Sequence, residues 1–319
     1  MSSEQEALRQ AWFPGTTSPL GDGHINATFL VNAEHGQFVL QKINARVFAK
    51  PLDLVANFNQ ILPYLEKAGL KVVRVINTKA GGSAFVARDG GVWRLTEYVK
   101  NTVTLQRLVN LKQAHNAGLA FASFQTALAK VPVTVLHVAI PEFLQLNPYL
   151  DALKEAIEKN SFSDKQLLSV VANNKYLGTA LGDRKAIIHG DCKVNNLRFD
   201  SRDEVRCVLD LDTVMVGHPA WDWGDLARSG VMDLNRQMKC DVLVALAEGF
   251  QQAVALDRNE LVLAPQYVAF MLGVRFLTDH LLGDVYFRVS ATGENLIRAK
   301  KQFDVLRWFQ DNEAQLEKI

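Results

Sequence analysis

The stretch AIIHGDCKVNNLRF at residues 186–199, followed by RCVLDLD at 206–212, decides how this chain is read. Short apolar runs such as AII and CVL predict strands, and polar residues gather where those strands end. His189, Asp191 and Asn196 stand at the spacing H-x-D-x-x-x-x-N, and Asp210 and Asp212 lie two apart shortly afterwards. On a strand, that spacing puts both carboxylates on one face. Phosphoryl transfer asks little covalent chemistry of a protein, but it needs an oriented acceptor hydroxyl and divalent cations against the polyphosphate charge. Asp191 could accept the hydroxyl proton, while the Asn196 amide oxygen and the Asp210 carboxylate could supply hard ligands to magnesium. His189 would fix the loop. The plainer alternative is a turn aspartate, a capping asparagine and a solvated strand end. Clustered carboxylates repel one another without a cation, and the joint spacing favours the metal reading.

Working outward, residues 21–99 read as short strands with one helix. ATFLV at 27–31 and FVLQKI at 38–43 flank EHGQ as a hairpin would, and SAFVA at 83–87 and VWRLTEYV at 92–99 flank RDGG. Pro51 opens a helix through DLVANFNQILPYLEKAG, with a kink at Pro63 and a stop at Gly69. Beyond about Thr102, apolar residues recur at three- and four-residue steps, and helices are predicted at 219–230, 236–255, 264–282 and 291–315. The pattern leaves 130–165 unassigned. The expected fold is α+β, with a small sheet lobe over 1–100, a larger, mainly helical lobe over 101–319, and a cleft between them of the kind that favours ligand sites.

The chain has 319 residues, 48% hydrophobic and 22% charged, with a formal net charge of +1. That balance offers no field to gather nucleic acid or an anionic membrane. Cys192, Cys207 and Cys240 have no metal-ligand spacing and suit reduced thiols. MSSEQEALRQ lacks the basic-then-apolar order of an export signal, and no apolar run approaches the roughly 18 residues of a membrane span. A cytoplasmic protein is expected, its oligomeric state left open.

HGDCKVNN with VLDLD resembles the catalytic-loop and metal-aspartate motifs of the aminoglycoside phosphotransferases and their relatives, the choline, homoserine and fructosamine kinases. The resemblance implies a bilobal, protein-kinase-like fold using ATP and Mg2+. PLGDGHINATFLV at 19–31 is similar to the family's glycine-containing loop, which implies Gly21, Gly23 and Asn26 over the phosphates. Glu97 and Val99 of EYV fall where the hinge meets adenine. In GHPAWDWGDLAR at 217–228, Asp222 would brace the catalytic loop. The first-lobe lysine departs from the family pattern. The strand reads FVLQKIN, so either Gln41 or Lys42 takes that place, and alternation points the two to opposite faces. Lys42 is the candidate.

Among these relatives the chain is most similar to N-acetylhexosamine 1-kinases, through GHIN at 23–26, LQKINARVF at 40–48 and GVRFLTDHLLGDVYFRV at 273–289. That resemblance implies a small-molecule acceptor, an amino sugar, contacted by His24, Arg275, Asp279 and Tyr286 as well as Asp191. Arg275 within an apolar run is costly unless paired or bound. The alternatives are another sugar or amino-alcohol acceptor, or a nucleotide-binding pseudokinase. A choline-type acceptor calls for an aromatic cage, and Trp221 and Trp223 are the one close tryptophan pair.

Overall fold

The computed structural model describes residues 2–21 and 25–316. The chain begins with helix α1 (Ser3–Ala11), then strands β1 (Thr16–Pro19), β2 (Ala27–Ala33) and β3 (Gly36–Lys42). Helix α2 (Pro51–Lys67) leads to β4 (Phe85–Val86) and β5 (Val92–Glu97). The strands form one antiparallel sheet in the order β1-β2-β3-β5-β4. Alternation gives the sheet two different faces. Leu40, Trp93 and Leu95 pack under Leu8 and Ala11 of α1 and Trp12 just after it, while Val92 meets Leu54 and Val55 of α2. The β3–β5 register sets Gln41 opposite Arg94 and Lys42 opposite Trp93.

Helix α2 starts on its proline, as expected, and continues through Pro63. Its buried Phe58, Ile61 and Leu65 join the core of the helical lobe, so the two lobes share apolar packing at this helix. A backbone bridge of Val72 with Val208 adds a further tie.

The second lobe contains α3 (Leu111–Leu128), α4 (Leu146–Asn160), α5 (Lys165–Asn174) and the short α6 (Leu177–Ala180). Two small antiparallel ribbons follow, β6 (Ala186–Ile188) with β9 (Met215–Gly217), and β7 (Leu197–Phe199) with β8 (Val205–Val208). Then come α7 (Ala220–Val231), α8 (Arg236–Gln251), α9 (Arg258–Leu281), α10 (Glu294–Asp311) and α11 (Glu313–Leu316). The unassigned 130–165 stretch contains α4, which lies against α9: the Tyr267 hydroxyl donates to Leu144 O and accepts from Leu146 N.

Helix α9 corrects the reading of the apolar runs. It is long and apolar enough to cross a membrane by length and composition, yet 83% of its most apolar window is buried inside the fold. A capping box formed by Asp257 and Glu260 fixes its start. It serves as the core helix of this lobe, its buried residues packing with those of α7 and α10.

Helices α3 and α8 approach closely because each has a glycine at the crossing. A Cβ on Gly249 would lie 2.0 Å from His115 O, and one on Gly118 would lie 2.1 Å from Leu246 O. Gly249→Ala should therefore destabilise the protein by about 1–3 kcal/mol through overpacking. Gly182→Ala, with nothing within 4 Å of its new methyl, is the control. The urea midpoint should fall for the first and hold for the second. Equal midpoints would contradict the close crossing.

Candidate active site

The catalytic-loop stretch leaves β6 and turns at Gly190, whose φ of +78° favours glycine and where a Cβ would lie 2.6 Å from Thr213 O. Asp222, in the first turn of α7, holds this turn from beneath. Its two carboxylate oxygens accept the backbone N–H groups of His189 and Gly190, each at 2.9 Å, and Gln125 Nε2 donates to it at 3.1 Å. His189 is buried with its ring edge-on to Phe121 and Phe124. Its Nε2 lies 2.8 Å from Leu209 O, and Asp191 N donates to its Nδ1 at 3.3 Å. Thr213 Oγ1 donates to its carbonyl. Its geometry is that of a loop strut.

Asp191 and Asn196 are brought together. The Asn196 amide nitrogen donates to Asp191 Oδ2 at 2.9 Å and to its carbonyl at 2.8 Å, which leaves the amide oxygen with no donor among the described residues. Lys193 Nζ lies 2.9 Å from the same Asp191 Oδ2. Burial pushes the Asp191 carboxyl up, but the Lys193 ammonium, His189 and the Asn196 amide more than offset it and hold it below the usual carboxylate range. Asp191 is thus an ionised acceptor at neutral pH.

Asp210 follows β8 in a left-handed conformation, φ 56°. Burial and then the charges of Asp212 and Asp191 push its carboxyl up to about 6, against the pull of Lys193 and Arg94. This crowding of negative charge is what a divalent cation relieves. Among the described residues no three His, Cys, Asp or Glu side chains could hold a metal on their own. The oxygens of Asn196 and Asp210 suit magnesium, which takes one or two protein carboxylates and completes its shell with phosphate and water.

Several positions singled out in the sequence sit elsewhere. Gly23 and His24 lie outside the described residues; Gly21 has φ +68° just before them. Asn26 is occupied by the protein, donating to Asp212 Oδ2 at 2.7 Å and accepting from Asn44 N at 3.0 Å. Lys42 faces away from the cleft, on the same sheet face as Trp93, and pairs with Asp89 at 2.9 Å. Gln41 occupies the inward position, and the cation beside it is Arg94, which is bonded to Asp212. At the hinge, Val99 O accepts from Thr102 Oγ1 and Arg198 Nη2 and Glu97 N donates to Arg74 O, while Val99 N–H has no acceptor among the described residues.

In the helical lobe, Asp279 is a brace. Its oxygens accept from the backbone N–H groups of Val285, Tyr286 and Phe287 and from Asn295 Nδ2, which leaves it saturated and buried. Arg275 and Tyr286 do meet. The Arg275 guanidinium lies 5.4 Å from the Tyr286 ring centroid, with Tyr149, Phe143 and Phe287 at 4.9, 5.1 and 5.3 Å. Trp223 is core, and Trp221 stacks on Tyr267. Lys193 and Arg94 are site residues that the motifs do not mark; the signal for Arg94 in the sequence is a basic residue between the apolar Trp93 and Leu95 of VWRLTEYV.

Residues 16–258 match the family model of the phosphotransferase enzyme family, and the chain belongs to that family. It is a small-molecule phosphotransferase acting on hydroxyl groups. Its fold is that of an aminoglycoside phosphotransferase from Alicyclobacillus acidocaldarius, 13% identical, with a TM-score of 0.71 over 100% of this chain and 96% of that one. A spectinomycin phosphotransferase solved with ADP and spectinomycin is 12% identical, TM-score 0.68, covering 98% and 97%. An amicoumacin kinase solved with AMP-PNP and Ca2+ is 14% identical, TM-score 0.65, covering 91% and 88%. At such identities the likeness is one of fold.

The folded-state pKa of Asp210 lies above its ordinary value of 3.8. Its contribution to stability is therefore fully present below pH 3.8 and lost as pH rises through about 6. At neutral pH the ionised group opposes folding until a cation reaches it. Mg2+ with AMP-PNP should accordingly raise the melting temperature more at about pH 7.5 than at about pH 5. Equal shifts at both values would contradict the assignment of Asp210.

Proposed function

We propose that this phosphotransferase moves the terminal phosphoryl group of ATP to the anomeric hydroxyl of an N-acetylhexosamine. In this reading Asp191 accepts the hydroxyl proton, and Asn196 and Asp210 hold Mg2+. The cation neutralises charge on the transferring phosphoryl group and orients it. The protein's own part is positional. Lys193 and Asn196 keep Asp191 ionised and aimed, and the struts from Asp222 and His189 keep the loop from yielding. Residues 1–100 are assigned to nucleotide binding, with the Val99 N–H as the hinge donor to the base, and 101–319 to catalysis and the acceptor. The family's chemistry, and the ATP analogue and divalent cation in the solved amicoumacin kinase, support the nucleotide and metal.

The observation that carries the choice of acceptor is the aromatic enclosure of Arg275. Tyr149, Tyr286, Phe143 and Phe287 surround a guanidinium that has no carboxylate partner among the described residues. In a choline-type site such rings surround the ligand's own cation; here an arginine already fills them. A cationic aminoglycoside or amino-alcohol would face like charge, whereas a neutral amino sugar offers oxygens to the guanidinium and ring faces to the aromatics. A kinase for another neutral sugar shares this logic and is the second reading.

Release of ADP with Mg2+ and ATP across N-acetylhexosamines, free hexoses, choline, homoserine and an aminoglycoside tests it, with phosphorus NMR on any product. An anomeric phosphate from an N-acetylhexosamine is the expected result. Asp191→Asn should lower turnover at least about a hundredfold, the scale of a lost general base. Turnover confined to choline, homoserine or the aminoglycoside would overturn the acceptor assignment, and near-normal turnover in the variant would remove Asp191 from its role.

A further inference from the structure

A polyphosphate held between two lobes needs positive charge from the sheet side as well as ligands from the catalytic loop. Strand β3 does not supply it, since its inward residue is the neutral Gln41 and Lys42 is paired outside with Asp89. Helix α2 offers no carboxylate that could hold a lysine there. Buried Asn57 is closed on the backbone of His137, Asp53 lies 3.9 Å from the His137 ring, and Glu66 pairs with Arg74.

The cation is one strand over. Arg94 on β5 lies directly opposite Gln41 on the same sheet face and is 6% exposed. Its Nε and Nη2 donate to Gln41 Oε1 at 2.9 and 2.8 Å, and its Nη1 and Nη2 donate to the two oxygens of Asp212 at 2.5 and 2.9 Å. One N–H on Nη1 has no acceptor among the described residues. Gln41 is itself oriented by donating to Thr28 Oγ1. Asn26, just beyond the glycine-containing loop, reaches the same Asp212. The guanidinium therefore stands where the sheet, the end of that loop and the Asp210–Asp212 stretch converge.

We propose that Arg94 is the sheet-lobe cation for the phosphates of the nucleotide, and that Asp212 is its holder and not a metal ligand. Asp212 plays the part an acid on α2 could have played, so cation and holder have moved together. Gln41 fits this arrangement because a lysine there would press a second positive charge on Arg94, whereas an amide oxygen accepts two of its N–H groups. A fork-shaped guanidinium can hold both oxygens of Asp212 with one edge and turn a remaining N–H to a phosphate oxygen. This inference rests on the phosphotransferase class alone and holds whatever the acceptor is.

The test is calorimetric titration with two ligands, Mg2+ with AMP-PNP and adenosine, which lacks phosphates. Arg94→Gln combined with Asp212→Asn leaves no lone buried charge. It should weaken AMP-PNP binding about tenfold or more, the loss of a charged hydrogen bond, with adenosine unchanged. Adding Gln41→Lys to that pair should restore most of the affinity. Asp212→Asn alone should keep the magnesium dependence of AMP-PNP binding. Arg94→Lys, which keeps the charge and loses the fork, is the more conservative variant and should weaken AMP-PNP by less than the double substitution. Parallel losses for AMP-PNP and adenosine would mean a purely structural Arg94. A loss of magnesium dependence in Asp212→Asn would make Asp212 a metal ligand. Either result overturns the proposal.

Discussion

The structure of the site depends on one buried carboxylate. Asp222 is 1% exposed, and burying a charge so completely is costly unless it is matched by donors. The matches are the N–H groups of His189 and Gly190 together with the Gln125 amide, so the acid loses two of its donors if the catalytic loop leaves its turn. Every other strut follows from this. Gly190 can adopt the left-handed turn close to Thr213 O because it has no side chain, and the turn carries the His189 ring between Phe121 and Phe124. That ring links in turn to Leu209, the residue before Asp210. The loop bearing Asp191 and the strand end bearing Asp210 are thereby fixed to one another through the core of the helical lobe.

On this frame three carboxylates of one chemical type acquire three characters. Asp191 is held ionised by Lys193 and Asn196, which suits a proton acceptor. Asp210, crowded by the other two, is pushed up to about 6 and is the one that gains most from a cation. Asp212 is neutralised by Arg94. Environments that push like groups apart are how one site assigns separate tasks to acids. The sheet lobe contributes to this division through Arg94 on β5, which pairs with Asp212 of the helical lobe.

Much of this was legible before the fold was seen, and the exceptions have physical reasons. The His189–Asn196 spacing, the hairpins and the long helices are local patterns, and local patterns survive in a sequence. Alternation could say that Gln41 and Lys42 face opposite ways, but only the β3–β5 register and the cover of α1 decide which face looks into the cleft. Arg94 was hidden because its partner lies more than a hundred residues away. Asp279 looked like a ligand for sugar because its real partners are backbone N–H groups of the following loop, which carry no sequence signature. The enclosure of Arg275 draws Phe143 and Tyr149 from the stretch that periodicity left unassigned. The apolar length of α9 was likewise underread, since its few polar residues, such as Gln266, are buried along with the apolar ones.

The central claim is that the two acids flanking the catalytic loop have separate tasks, Asp210 on the metal and Asp191 on the acceptor proton. Electron paramagnetic resonance of Mn2+ titrated into the protein with AMP-PNP tests it without any acceptor. The account predicts that Asp210→Asn loses tight Mn2+ binding while Asp191→Asn retains it. Equal loss in both variants, or tight binding in both, would contradict it.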